Sequence, residues 1–259
     1  MRFSAPGLLW ILVFTACRES ASSPRPEEPV FRPEILARLP HDPRAFTQGL
    51  LIDGDVWLES TGQYGQSELR EVRKTDGYVL RRVALSPRLF GEGLALWQGR
   101  LYQLTWRERT AIVYDRETLE EIERFRYPGE GWGLTHNDEV LFMSDGTSEI
   151  RVLDPLTFRE LRRFEVRGAR GAVSQLNELE WIDGEIWANI FQTRWIVRFS
   201  PEDGRVIGFV DLHHLPLPED VHPHQDVLNG IAVDPATGAI WVTGKNWKAL
   251  YQIERPPDL

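Results

Sequence analysis

The segment FGEGLALWQGRLYQLTW, residues 90–106, opens on a carboxylate held between two glycines, Gly91 and Gly93, just ahead of a run that reads as a buried strand. Glycine on each side lets the backbone turn tightly and lets other groups come close. A solvated surface acid would need neither, so the placement of Glu92 asks for an explanation. A second apolar run, RLYQLTW, follows at once.

The same frame occurs five times. TQGLLIDG (47–54), GEGLALWQG (91–99), GWGLTHND (131–138), LNELEWIDG (176–184) and LNGIAVDP (228–235) open alike. With Leu50, Leu94, Leu134, Leu179 and Ile231 taken as equivalent, the intervals are 44, 40, 45 and 52 residues. Each opener leads into a second run (DVWLES, RLYQLTW, EVLFMSDG, EIWANIFQ, AIWVTGK) and a third (SELREV, TAIVYD, EIRVLD, WIVRFS, ALYQIE). The first four units add a fourth: YVLRRVAL, EEIERFRY, ELRRFEV and VIGFVDL. Between runs, TDGY, DPLTF and PEDGR put Asp, Pro and Gly where hairpin turns need preset or positive φ.

Four short strands per unit at a period of about 40–50 residues is the pattern of a propeller blade, and solenoid coils are shorter. The expected fold is all-β, a five-bladed β-propeller over residues 30–259. RETLEEIERF has helical spacing, but its register matches DPLTFRELRRF, which reads as turn plus strand. The fifth unit stops at Arg255 after three strands, which would leave a sheet edge open. The otherwise unassigned PEILARLP (33–40) is expected to close the ring by pairing with the last blade.

Composition narrows the function. The chain has 259 residues, 42% hydrophobic and 27% charged, a globular balance. Its net charge of −9 argues against a nucleic-acid backbone as partner, which would call for a basic stripe. Arg2 followed by GLLWILVFTA (7–16) reads as an export signal, too short to span a bilayer as a helix. FTAC resembles a bacterial lipobox, with Phe14 where leucine is usual, and makes Cys17, the only cysteine, the expected lipidation site. Residues 1–17 are then a signal, and 18–29, rich in Ser, Pro and charge, a disordered tether. The expected location is the cell envelope, facing the periplasm, or the medium if Cys17 is not lipidated. Monomer is the default.

In a propeller, the residues entering each first strand ring one mouth of the axial channel. The position two before each aligned Leu or Ile holds Gln48, Glu92, Trp132, Asn177 and Asn229, none of them aliphatic. The far ends of the second strands add Trp106, Asp145, Phe191 with Gln192, and Lys245. Polar groups converging on an apolar floor mark a small-molecule site, and a desolvated Glu92 is suited to moving a proton. Plainer readings exist for each residue. Glu92 and Lys245 also suit a structural ion pair, Asp145 in SDGT a turn, and Trp106 and Trp132 packing between blades. His213, His214, His222 and His224 have metal-ligand spacing, but on a proline-rich loop they read as solvated rather than as a metal site.

FTQGL, ESTGQYGQSELREV, FGEGL, LYQLTW, GWGL, SDGT, LNELEW, WANIFQT, DVLNGIA and VTGK, in that order from Phe46 to Ile253, resemble the plant- and bacterial-type glutaminyl-peptide cyclotransferases. The resemblance implies a five-bladed propeller that turns an N-terminal glutamine of peptides or proteins into pyroglutamate with loss of ammonia. By motif it implies site roles for Phe46, Gln48, Glu92, Trp106, Trp132, Asn177 and Lys245. Phe191 stands where members often have tryptophan, which keeps an apolar wall but drops an indole N–H. In the expected scheme Glu92 carries the proton, Lys245 and Asn177 face the oxyanion, and Gln48 orients the substrate. Trp106, Trp132 and Phe191 exclude water, with Asn229 and Asp145 completing the binding set. The scheme requires no metal or other cofactor; the zinc-dependent animal cyclases have a different fold. Two alternatives keep the propeller: a non-catalytic envelope-anchored scaffold, and a metal-dependent lactonase or esterase, which would want several carboxylates around an ion.

Overall fold

A computed structural model describes residues 26–216, 222 and 224–257. The export signal and Cys17 lie outside the described residues. The described chain is built from strands, turns and bends, arranged as five sheets around an axis. Blade 1 runs Thr47–Asp53, Val56–Thr61, Glu68–Arg73 and Val79–Ala84 in order from the axis outward. The innermost strands of the other blades are Gly91–Trp97, Leu134–His136, Leu176–Ile182 and Leu228–Val233, and each touches the inner strand of its neighbours. RETLEEIERF is turn plus strand, as its register implies, with Glu121–Arg126 the outer strand of blade 2.

The ring closes as the repeat count requires. Ile35–Pro40 pairs antiparallel with Ala249–Ile253, supplying the missing fourth strand of blade 5. Two elements have no counterpart in the repeat. Val30–Phe31 adds a parallel fifth strand to the edge of blade 4, and Arg167–Gly168 with Gly171–Ala172 forms a small hairpin beside it. The chain is fastened there from Glu28 onward, through the Ala169 N–H on the Glu28 carboxylate and the Phe209 N–H on the Pro29 carbonyl.

Apolar burial is divided into five wedges between blades rather than one centre. Leu58, Leu69, Leu94, Leu101 and Ile112 fill the wedge between blades 1 and 2, and Trp57, Trp241 and Leu250 that between blades 5 and 1. This last wedge closes the ring and carries a buried ionic network. Glu59 receives Arg70, the Thr47 hydroxyl (2.7 Å) and His41 Nε2 (2.9 Å), while Arg70 also donates to Asp42 at 3.0 Å. His41 in turn contacts the Trp247 carbonyl of blade 5 at 2.7 Å. Burial works against the Glu59 charge, but Arg70 and His41 more than offset it and hold the carboxyl far below its ordinary value.

At the axis the inner strands crowd together, which explains the glycines. A Cβ on Gly93 would lie 2.6 Å from the Leu134 nitrogen, and one on Gly133 2.1 Å from the Asn177 carbonyl oxygen. Gly49 and Gly230 occupy the same position in blades 1 and 5; in blade 4 it is filled by Glu178. That side chain reaches from blade 4 to the adjacent blade 5 and on to blade 1. Its carboxyl accepts the Leu50 N–H at 3.4 Å and the Ile231 N–H at 2.9 Å. Inner-strand donors that face the axis would otherwise go unpaired, which is costly when buried. Burial, with Glu180 nearby, pushes the Glu178 carboxyl well above the ordinary range.

Gly93→Ala is therefore expected to cost about 1–3 kcal/mol of stability, because the clash is with backbone that has no room to yield. Urea denaturation measures it. A loss below about 0.5 kcal/mol would mean that the inner strands tolerate a side chain there.

Candidate active site

The same pairing irregularity appears where each site residue enters. The ladder between first and second strands slips between Thr47 and Gly49, Gly91 and Leu94, Leu176 and Leu179, and Leu228 and Ile231. Each slip is a β-bulge, which leaves extra residues unpaired and re-aims a side chain. Gln48, Glu92, Asn177 and Asn229 sit in these four bulges. In blade 3 the ladder starts only at Leu134, and Trp132 stands just before it with its N–H on the Ser144 carbonyl at 3.0 Å. The alternating pattern of a strand is thus broken at five equivalent points on one mouth.

Around that mouth the aromatic residues form a closed chain of contacts. Phe46 meets Phe90 edge-on at 6.1 Å, and Phe90 lies 5.5 Å from Trp106. Trp106 and Trp132 share one acceptor, Glu130, and Trp132 meets Phe191 edge-on at 5.5 Å. Lys245 completes the circuit, its ammonium 4.8 Å from the Phe46 ring centre and 4.9 Å from that of Phe191. An ammonium over two ring faces is held by their electron density without a counter-ion.

Inside this rim Glu92 and Lys245 are each only 4% exposed. They form no ion pair with one another, and their charges reach each other across a gap. Burial pushes the Glu92 carboxyl well above the ordinary range; Lys245 pulls it back, while Glu130 and Glu108 push it further. Burial brings the Lys245 ammonium down to about 8 against a smaller upward pull from Glu92. A carboxyl shifted up and an ammonium shifted down in one dry recess are each suited to trading a proton or a charge with a substrate.

The amides are partly committed. Asn229 Nδ2 donates to the Thr47 carbonyl at 2.9 Å and to Gln48 Oε1 at 3.1 Å. Asn177 Oδ1, Asn229 Oδ1 and Asn189 Nδ2 are buried without a hydrogen-bond partner among the described residues. Such groups are rare in a settled interior and mark places where a ligand's polar atoms can go. Asp145 lies on the same rim, but its carboxylate is engaged by Arg151 at 2.8 Å and caps the turn at Thr147. Its position is structural in this geometry.

Phe90, Glu130, Glu108 and Asn189 join the site only in the folded chain. Phe90 links the two halves of the aromatic rim, and Asn189 Oδ1 ties blade 4 to the Gly230 N–H at 2.9 Å. Only Phe90 and Glu130 left a signal, each lying next to a motif glycine. Among the described residues no group of three or more His, Cys, Asp or Glu converges to hold a metal ion. His213 is paired with Asp211 at 2.7 Å, and His222 and His224 are exposed.

A five-bladed propeller with a dry acid and a cation inside an aromatic rim has an enzyme-like mouth rather than a scaffold's flat one. Relatives place it more closely. A family model for glutamine cyclotransferases matches residues 8–255, and the chain belongs to that family. It is 43% identical over 225 residues to a glutaminyl-peptide cyclotransferase of Arabidopsis thaliana, covering 85% of this chain and 70% of that one. The crystal structure of Myxococcus xanthus glutaminyl cyclase superposes with a TM-score of 0.83 at 33% identity, over 88% of this chain and 98% of the other. The WD40 propeller domain of Doa1, at 13% identity and a TM-score of 0.51 over 82% of this chain and 80% of that one, shares the fold alone.

Proposed function

We propose that this protein is a glutaminyl-peptide cyclotransferase, acting on peptides or proteins that begin with glutamine. The observation that carries it is an unpaired, buried Glu92 facing a buried Lys245 within an aromatic rim, in a chain of this family. The α-amine attacks the side-chain carboxamide carbon of the same residue, the carbon–nitrogen bond of the amide breaks, and ammonia leaves. Because both reactants belong to one molecule, folding the substrate back on itself accounts for much of the rate. Glu92 takes the proton from the attacking amine and returns it to the departing nitrogen. Lys245 and the amide of Asn177 face the developing oxyanion. Gln48, already tethered by Asn229, orients the substrate, and the unpartnered oxygens of Asn177 and Asn229 accept its N–H groups. Phe46, Trp106, Trp132 and Phe191 keep water out, so cyclisation outruns hydrolysis. Every proton and charge is handled by a side chain, so the scheme needs no metal. Beyond the mouth, a groove of about 600 Å³ lined by Arg44, Phe46, Gln63, Gln66 and Asn246 leaves room for the residues after the glutamine.

Export and lipidation at Cys17 belong to the same reading, with the expected tether 18–29 running up to the bonds that Glu28 and Pro29 make beside blade 4. Their support is the sequence.

The test is a pair of peptides isotopically labelled at the side-chain amide nitrogen of an N-terminal glutamine, one free and one N-acetylated. Labelled ammonia is expected from the free peptide only. Release from both would make the enzyme an amidase, since acetylation removes the nucleophile.

The pH profile follows from Lys245. Its charged form stabilises the oxyanion, so kcat/KM is expected to fall as pH rises through about 8. Lys245→Arg, if active, should move this alkaline limb upward, because a guanidinium keeps its proton. A limb that stays in place would assign the fall to another group.

A further inference from the structure

Trp106 ends a strand pair in blade 2 and Trp132 opens blade 3, yet both indoles donate to one oxygen. Trp106 Nε1 lies 2.6 Å and Trp132 Nε1 3.0 Å from Glu130 Oε2. The other oxygen accepts from Arg107 Nε at 3.2 Å, and the Arg107 guanidinium lies 3.9 Å over the Trp106 ring. We propose that Glu130 is a positioning residue of this site, its carboxylate fixing the two indoles that wall the substrate pocket and placing a permanent negative charge beside Glu92. The kinetic consequence rests on the cyclase reading; the positioning does not.

Packing alone restrains the tilt of these rings. Gly146 presses on the Trp132 face, where a Cβ would lie 2.7 Å from the ring, and Phe90 lies against Trp106. Such contacts act on the ring faces, and a charged acceptor at the indole nitrogen adds a directional bond that sets where each ring edge points. One acceptor for two rings also locks blade 2 to blade 3 at the mouth. Burial disfavours the Glu130 charge, but the bonds from Trp132, Trp106 and Arg107 hold the carboxyl below its ordinary value, so it stays ionised.

The charged groups around Glu92 are Lys245, Glu130 and Glu108, with the phenols of Tyr64 and Tyr127 near by. Glu108 is occupied by the Tyr64 hydroxyl at 2.9 Å and the Phe90 N–H at 3.3 Å. Lys245 favours loss of the Glu92 proton, and the two neighbouring acids favour its retention. Removing the Glu130 charge must therefore let Glu92 ionise at lower pH.

Two variants separate the roles. Glu130→Gln keeps one oxygen for both indoles and drops the charge, whereas Glu130→Ala drops both. In nuclear magnetic resonance spectra, the two indole N–H signals, assigned with Trp106→Phe and Trp132→Phe, should move upfield and exchange faster in the alanine variant and stay close to wild type in the glutamine variant. The Glu92 carboxyl, followed by carbon resonance, should titrate at lower pH in the glutamine variant, and the acid limb of kcat should move with it. For the alanine variant KM should rise about tenfold or more, as the substrate is less well held. Indole signals unchanged in Glu130→Ala would overturn the positioning, and an unmoved Glu92 titration in Glu130→Gln would overturn the charge effect. The spectra need no turnover, so if wild type proves inactive on glutamine peptides the cyclase reading fails while these two claims are still decided.

Discussion

Glu92→Gln should fold normally and lose about 10²- to 10⁴-fold in kcat, the range spanned by a positioned acid–base group. Glutamine matches the shape of the carboxyl and keeps an acceptor oxygen, so the recess between Gly91 and Gly93 is not disturbed. What it cannot do is take a proton from the amine and hand it to ammonia. The variant should also be no less stable than wild type. A buried carboxyl pushed well above its ordinary range ionises at a cost to the folded state, and an amide carries no such cost. Steady-state kinetics with a denaturation curve on both proteins checks it. Retention of more than about a tenth of the wild-type kcat would remove Glu92 from proton transfer.

Arg70→Met should cost about 3–5 kcal/mol of stability, although Arg70 lies away from the chemistry. It is the principal counter-charge of Glu59, whose side chain is 2% exposed and cannot turn to solvent. His41 alone would then face a buried anion at the wedge that closes the ring. The dependence on pH has a definite sign. The folded-state value of Glu59 is depressed, so the stabilisation is complete above the ordinary value of 4.5 and drains away as pH falls below it. In Arg70→Met this acid sensitivity should largely vanish. The double variant with Glu59→Leu should recover much of the loss, because no unpaired charge then remains. Guanidinium unfolding of the three proteins gives the comparison. A loss under about 1 kcal/mol for the single variant would mean that the network contributes little to closure.

The blades and their closure were legible because they depend on local pattern. Apolar runs of strand length, turn residues such as Asp76–Gly77 and Asp203–Gly204, and a repeating interval are properties of neighbouring residues. The missing strand of blade 5 followed from counting. What sequence could not carry depends on pairing register and on contacts between blades. The bulges that aim Gln48, Glu92, Asn177 and Asn229 exist only relative to a partner strand. Glu178 reads as an ordinary charged strand position until the other four blades are seen to hold glycine at its place and two of their inner-strand N–H groups to donate to it. Glu130 stands beside a motif glycine, but its role shows only when two tryptophans twenty-six residues apart turn out to share it. The convergence of Glu92, Lys245 and the aromatics was readable from equivalent positions in the repeat. For Asp145 the same equivalence pointed inward, whereas Arg151, six residues on, claims its carboxylate.

A dry, aromatic-walled site should join two atoms of one residue rather than admit water. Both outcomes release ammonia, so the mass of the product decides between them. After incubation of wild-type protein with a peptide beginning in glutamine, the peptide should lose about 17 Da as the ring forms. A gain of about 1 Da, the mark of hydrolysis to glutamate, would contradict the account, as the rim around Glu92 and Lys245 would then not be excluding water.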